Sequence, residues 1–399
     1  MPEAAWLISV SGPDRPGITA GLVGVLAQAQ VRLQDVEQVV VRGHLTLALL
    51  VEAPFSEATQ QALSMAAAVS GVSVSFTRLA PATEAGVARV RYAVTVLGAE
   101  LSAADVHALS LTLARFGANI ERIHRLSETG LSSLEMHVAL LPEQAPKLKH
   151  ALLELSVRGA FDVALQRESL FRRSKRLLVM DMDSTLIRIE VINELARVHG
   201  VEEAVSAITE RAMRGEMDYD TSLRLRLALL KGLDVSALET IAQNLPLTEG
   251  AETLVRVLKR LGFKTAVISG GFSHAAEALR TRLGIDYAYS NVLEIQNGKL
   301  TGNVVGPIVN AERKAQLLET LASAENILLD QVVAVGDGAN DLLMLERAGL
   351  GIAFRAKPKL REAADTSLSR SGLDGVLYLL GLNAADLAEA LRPDPPLRT

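Results

Sequence analysis

Residues 177–187 read Leu-Leu-Val-Met-Asp-Met-Asp-Ser-Thr-Leu-Ile. Four apolar residues running straight into Asp181 and Asp183 describe a strand buried on both faces whose carboxyl end opens onto a polar site. Strand side chains alternate, so acids two residues apart share a side wherever the extended backbone continues. The same form recurs at 265–270 (TAVISG), 332–337 (VVAVGD) and 351–354 (GIAF), each followed by a helical stretch. Short apolar strands alternating with helices predict an α/β domain whose parallel sheet is covered on both faces. Between the first two strands, 187–248 is helical in pattern. Inserted there it would lie over the carboxyl ends of the strands, where open α/β sheets bind ligands, and serve as a lid.

Two joints lie upstream, the small, proline-bearing 80–86 (APATEAG) and the charge-dense 166–175 (QRESLFRRSK). The segments they delimit repeat each other at an offset of about 86 residues. The first reads as strand Leu7–Val10, loop 11–17 (SGPDRPG), a helix with Ile18, Leu22, Val25, Leu26 and Ala29 on one face, and a strand in 31–41. The second follows with Tyr92–Val96, a loop at Gly98, a helix ending near Phe116, and a strand in 118–126. Each continues with a strand (Leu45–Val51; Leu134–Leu140), a helix (Glu57–Ala68; Glu143–Leu155) and a last strand (Val72–Phe76; Phe161–Leu165). The order βαββαβ predicts two helices on one face of a four-stranded antiparallel sheet. The expected organisation is 1–84, 87–168, 174–386 with its lid at 187–248, and a tail at 387–399.

Composition narrows the chemistry. The 399 residues include no cysteine, which excludes disulfides, thiolate nucleophiles and metal clusters held by thiolate. Net charge is −5 with both signs interleaved and aromatics are 4%, so no nucleic-acid partner is expected. No apolar run approaches the ~18 residues of a membrane span, and the first residues (MPEAAWLISVSG) lack a leader pattern, so a cytoplasmic, membrane-free protein is expected. The seven histidines show no ligand spacing, and each is given a structural role.

The polar strand ends carry the remaining signal. Ser269-Gly270-Gly271 offers a hydroxyl and backbone amides that can approach an anion. Lys314 stands near the start of a helix, and Gly336-Asp337-Gly338-Ala339-Asn340-Asp341 is an acidic, glycine-rich turn. Carboxylates at a tight turn suit Mg²⁺, while hydroxyl, amides and ammonium suit the oxygens of a phosphoryl group. One carboxylate can attack phosphorus, and a second can protonate the leaving alcohol and then deprotonate a water.

In this order, Asp-x-Asp-Ser-Thr, Ser269-Gly-Gly, Lys314 and Gly-Asp-Gly-Ala-Asn-Asp resemble the haloacid-dehalogenase-like phosphatases over roughly 176–385. Asp-Met-Asp-Ser-Thr-Leu-Ile with a helical insertion behind it is similar to the phosphoserine phosphatases among them. The N-terminal repeats resemble ACT domains, which bind amino acids, and tandem ACT domains precede some bacterial phosphatases of this kind. The resemblance implies a Rossmann-like parallel sheet with a helical cap after two ferredoxin-like modules. It implies Asp181 as nucleophile, Asp183 as general acid and base, and Ser269, Gly270, Gly271, Lys314 and Asn340 around the phosphate. Mg²⁺ would be held by Asp181, the backbone carbonyl of Asp183 and Asp337, with Asp341 supporting. Glu190 would meet a substrate ammonium and Arg226 its carboxylate, with Met213 and Tyr219 as apolar lid contacts. Many members carry Phe at the second of these lid positions, so Tyr219 is a departure.

The implied activity is Mg²⁺-dependent hydrolysis of O-phosphoserine to serine and phosphate, the last step of serine biosynthesis. Two alternatives stand beside it: action on another small phosphate such as homoserine phosphate, and an amino-acid-binding regulatory protein with an inert phosphatase domain. Asp14 and Gly17 either shape a turn before a helix or belong to a regulatory site for an amino acid such as serine. The second repeat has Glu100 and Ala103 there, so such a site would be degenerate or shared. By analogy with other ACT-like sheets, a homodimer through the N-terminal half is expected.

Overall fold

The computed structural model describes residues 5–80, 88–127 and 130–392. The chain forms two compact units, Met1–Val87 and Ala88–Thr399. The first contains β1 (Ala5–Pro13), α1 (Ile18–Gln28), β2 (Leu33–Val41), β3 (His44–Glu52), α2 (Glu57–Ser70) and β4 (Ser73–Leu79). Its sheet runs β2-β3-β1-β4 with every pair antiparallel. Alternate residues Leu45, Leu47, Leu49 and Val51 of β3 point to one face and pack with Ile8 and Val10 against Ile18, Leu22, Leu26 and Leu63. Gly17, at φ 97°, adopts the left-handed conformation that turns the chain into α1. On edge strand β2, Val39 and Val41 remain 57% and 64% exposed.

The second unit repeats this order with β5 (Val90–Gly98), α3 (Ala103–Arg115), β6 (Asn119–Ser127), β7 (Ser132–Leu140), α4 (Ala145–Arg158) and β8 (Phe161–Arg167). Ser102 and Asp105 start α3 with reciprocal capping bonds. The α/β part follows: β9 (Leu177–Met180), α5 (Val191–His199), α6 (Glu202–Met213), α7 (Tyr219–Leu229), α8 (Val235–Gln243), α9 (Ala251–Arg260), β10 (Lys264–Phe272), α10 (Ser273–Leu283), β11 (Tyr287–Gln296) and β12 (Lys299–Val305). It closes with α11 (Ala311–Ala324), β13 (Val332–Gly336), α12 (Leu342–Arg347), β14 (Leu350–Phe354), α13 (Pro358–Ala363), β15 (Thr366–Leu368), α14 (Gly375–Leu379) and α15 (Ala384–Ala390).

Strands β11-β10-β9-β13-β14-β15 pair in parallel, and β12 adds antiparallel to β11. Central β9 is fully buried because its faces feed different clusters, Leu178 and Met180 one, Leu177 and Val179 the other. Helices α5 to α8 make up the segment inserted after β9. The β11–β12 hairpin is an addition to the strands expected from sequence; its turn carries Asn297 and Gly298, both at positive φ, the pairing a tight hairpin requires.

The two sheets of this unit are continuous. β15 meets β8 antiparallel at Thr366 and Ala164, giving eleven strands in one order. Asp162 of β8, 1% exposed, reinforces this seam by accepting the backbone N–H groups of Ser369, Arg370 and Ser371 at 2.8, 3.0 and 3.1 Å. Gln166 Nε2 donates to the Leu379 carbonyl at 3.0 Å.

Candidate active site

The ends of adjacent β9, β10 and β13 build the site. Asp181 follows β9 in extended conformation, and its N–H donates to the Val335 carbonyl of β13 at 2.9 Å. A single wide turn, Met182–Leu186, then reverses the chain, with Ser184 at φ 56°. This turn carries Asp183 into the mouth of the site. The Val191 N–H donates to Asp183 Oδ1 at 3.3 Å, and Ser184 Oγ donates to Glu190 Oε1 at 2.7 Å. Thr185, fully buried, donates to Asp337 Oδ1 at 3.2 Å.

Lys314 ties the floor together. Its Nζ, fully buried, lies 2.7 Å from Asp181 Oδ1 and donates to Asp341 Oδ1 at 2.7 Å. Burial works against its cation, but Asp181 and Asp341 outweigh burial and hold its pKa above the usual lysine range. Asp341 Oδ2 also accepts the N–H groups of Asp337 and Gly338, at 3.1 and 3.0 Å. One ammonium does not satisfy these acids. Burial, then Asp181 and Asp341, push Asp337 up to about 8. Burial and Asp181 push Asp341 to about 6 against the pull of Lys314. Burial, Glu190 and Asp181 push Asp183 well above the carboxylate range.

Asp181, Asp337 and Asp341 each present an oxygen within 4.8 Å of the others. An all-oxygen set with more negative charge than Lys314 neutralises fits a hard divalent cation.

On the β10 side, Ser269 is 1% exposed and its Oγ accepts the Gly271 N–H at 2.9 Å. Both glycines are required by space. A Cβ on Gly270 would stand 2.1 Å from the Tyr219 hydroxyl, and one on Gly271 2.6 Å from Asp183 Oδ2. The Gly270 carbonyl accepts from Tyr219 at 3.1 Å and from Asn291 Nδ2 at 2.7 Å, while Asn291 Oδ1 accepts the Val309 N–H at 2.8 Å. Sequence reasoning missed Asn291, which is 2% exposed within the otherwise mostly half-buried or exposed β11.

The chain is similar to known proteins over nearly its whole length. Residues 175–349 match the haloacid dehalogenase-like hydrolase family, and 5–77 and 91–166 each match an ACT domain. A phosphoserine phosphatase of Mycobacterium tuberculosis is 44% identical over 392 residues, 97% of this chain and 96% of its own. The chain belongs to the phosphoserine phosphatase family. A Streptomyces coelicolor phosphoserine phosphatase is 42% identical, covering 96% of this chain and 94% of its own. Among solved structures, a haloacid-dehalogenase-family hydrolase of Salmonella enterica serovar Typhi superposes with a TM-score of 0.64 at 33% identity, over 72% of this chain and 98% of its own.

Relative to this phosphatase-family floor, the cap residues separate into two groups. Tyr219 and Arg226 lie seven residues apart on α7, and burial pushes the Tyr219 hydroxyl up to about 12. Arg226 is half-buried; burial lowers its pKa, while Tyr219, Glu190 and Asp183 favour its cation, which puts this guanidinium in the field of both acids. Asp220 accepts from Asn310 Nδ2 at 3.2 Å, a second tie between cap and core that the sequence did not reveal. Met213 is 65% exposed at the end of α6, with Lys357 Nζ 3.4 Å from its sulfur. Asn340 is half-buried on the one-turn helix Ala339–Asp341. Asp14 and Gly17 belong to the first unit, where the Asp14 N–H donates to the Gly43 carbonyl at 2.8 Å. Among the described residues, no helix is long and apolar enough to cross a membrane.

Proposed function

We propose that this chain hydrolyses O-phosphoserine to serine and inorganic phosphate, as the last step of serine biosynthesis, with Mg²⁺ as its metal. The observation that carries this reading is Lys314 Nζ held 2.7 Å from both Asp181 and Asp341, with Asp181 following β9 and the Ser269–Gly271 turn on adjacent β10. A nucleophilic oxygen, a buried cation and an anion-binding turn meet there, which is the set phosphoryl transfer needs.

Asp181 attacks phosphorus, the bond from phosphorus to the serine oxygen breaks, and Asp183 gives its proton to that oxygen. Water then attacks the aspartyl phosphate while Asp183 takes its proton, and phosphate leaves with Asp181 restored. Ser269, the Gly270 and Gly271 amides and Lys314 hold the phosphoryl oxygens, with Asn340 beside them. Asp181, the backbone carbonyl of Asp183 and Asp337 would hold Mg²⁺, supported by Asp341. The ion, when bound, supplies charge neutralisation at the phosphoryl group. In the cap, Glu190 meets the substrate ammonium, Arg226 its carboxylate, and Tyr219 with Met213 closes the enclosure. A zwitterionic head group calls for one charge of each sign, and Glu190 and Arg226 supply them.

The ACT domains support regulation by an amino acid such as serine, with Asp14 and Gly17 in its site. The exposed valines of β2 support a homodimer through ACT edges. Phosphate release from O-phosphoserine with and without Mg²⁺, beside homoserine phosphate, tests the catalytic reading, and robust turnover by Asp181→Asn overturns it. Calorimetry with serine tests the effector, and light scattering tests the dimer, which a monomer at micromolar concentration refutes.

A further inference from the structure

The second ACT-like repeat contains a cluster unrelated to phosphoryl transfer. β6 and β7 pair antiparallel with His124 opposite Glu135 and Arg122 opposite His137. Strand alternation puts Glu135 and His137 on one face, and the cross-strand register brings His124 to the same face. His124 Nε2 and His137 Nε2 lie 3.4 and 3.1 Å from the same oxygen, Glu135 Oε1. The three donor atoms fall within 4.8 Å of one another, with the rings stacked at a centroid distance of 5.3 Å. Residues 124, 135 and 137 form no sequence motif, so the structural role given to these histidines from sequence omitted what pairing brings together.

We propose that His124, Glu135 and His137 are a zinc-class metal site in this repeat, distinct from the phosphatase centre. Tetrahedral bonds of about 2.1 Å put ligand atoms about 3.4 Å apart, which matches the two imidazole–carboxylate separations. Two nitrogens and one oxygen suit Zn²⁺ or Co²⁺, whereas Mg²⁺ takes oxygen alone. The surrounding groups orient the donors. His137 Nδ1 lies 3.3 Å from Glu168 Oε1, a carboxylate behind an imidazole that leaves Nε2 as the ligand. Arg172, buried, binds Glu135 Oε2 and, at 3.0 Å, Glu168, so Oε1 is the oxygen turned to the histidines. Arg173 Nη2 sits 3.3 Å from Oε1, but its side chain is 58% exposed and can withdraw into water as a metal enters. Arg122, opposite His137 in register, also stands near His124.

Unmet polar capacity points to the same place. Among the described residues eight buried side-chain polar atoms have no hydrogen-bond partner; four of them are Thr95 Oγ1, His124 Nδ1, Ser133 Oγ and Arg172 Nε. Thr95 is the β5 partner of Glu135 in register, and Ser133 precedes Glu135 by two on the same face. Such a concentration marks a place built for a polar occupant. His124 is 37% exposed and provides the entry path. A bound ion would staple β6 to β7.

The test is zinc stoichiometry of the full chain after chelation and reloading, by equilibrium dialysis and elemental analysis, against His124→Ala/His137→Ala. The expected result is the loss of one zinc per chain in the variant, with phosphatase activity retained because neither histidine belongs to that machinery. Equal zinc content in both proteins overturns the site. Should circular dichroism show the variant unfolded, X-ray absorption on zinc-loaded wild-type protein decides. Two imidazoles in the zinc shell support the assignment, and an oxygen-only shell refutes it.

Discussion

The hydroxyl of Tyr219 donates to the carbonyl of Gly270 at 3.1 Å. The bond joins the first residue of α7, in the cap, to the turn that ends β10, and Gly270 leaves no room for a side chain between them. Tyr219→Phe keeps the ring and leaves the carbonyl paired to Asn291. It should lower kcat/KM by roughly 2–10-fold, the worth of one neutral hydrogen bond at about 0.5–1.5 kcal/mol. Gly270→Ala should cost more, because its Cβ displaces the hydroxyl. In Gly270→Ala/Tyr219→Phe the nearest clash is gone, so the loss should be smaller than the two single losses combined. A double-mutant cycle on kcat/KM checks this, and additive losses would show that the two residues do not meet.

Lys314 holds two buried carboxylates, and its removal isolates them. Lys314→Met should destabilise the metal-free chain by about 3–5 kcal/mol, the cost of leaving buried charge uncompensated. Activity should be lost along with it. Mg²⁺ should narrow the stability difference by supplying a substitute positive charge. Urea denaturation with and without Mg²⁺ reads both effects; equal stability of the two proteins without metal would contradict the ion-pair geometry.

Much of this floor was legible because its residues end strands. Asp181, Ser269 and Asp337 each follow an apolar run short enough to be a buried strand, and such ends converge wherever the strands lie side by side. Lys314 was legible through its place in the order, not through its helix. What the sequence concealed depends on register or on distant pairing. Asn291 reaches Gly270 from β11, a strand whose alternating, half-buried residues gave no strong period, although the Asn297-Gly298 turn marked its hairpin. The seam between β15 and β8 rests on one register pair and on Asp162, 207 residues before Ser369. No local pattern encodes that contact. The repeat and the α/β part read as separate modules, while the structure runs one sheet through both.

Asp162 therefore has a measurable role. One of its oxygens accepts the Ser369 N–H at 2.8 Å, and the other accepts the N–H groups of Arg370 and Ser371 and the Ser371 hydroxyl at 3.0–3.1 Å. Asp162→Asn replaces one acceptor by a donor facing those N–H groups. Charge-assisted bonds are worth about 1.5–3 kcal/mol each, so a loss of roughly 2–4 kcal/mol is expected. The midpoint of chemical denaturation checks it, and a shift within error of zero would mean that the seam does not depend on this carboxylate.

The acid cluster makes a prediction in which one substitution separates stability from metal response. Asp181, Asp337 and Asp341 crowd one space with Lys314 as the cation among them. Mg²⁺ added to chelator-treated protein should raise the melting temperature, since a ligand at about 100 times its dissociation constant stabilises by about 2.7 kcal/mol. Asp337→Asn removes an acid that burial, Asp181 and Asp341 push up to about 8, without removing volume. Metal-free, the variant should be at least as stable as the wild-type chain, because burying Asp337 beside Asp181 and Asp341 is unfavourable. With Mg²⁺ the order should invert, since the variant has lost one oxygen ligand's charge and most of the metal-dependent gain. Thermal melts of both proteins across a Mg²⁺ titration separate the outcomes. An undiminished Mg²⁺ response in Asp337→Asn would move the ion off this turn, and a large metal-free destabilisation would make Asp337 a structural residue held by Thr185.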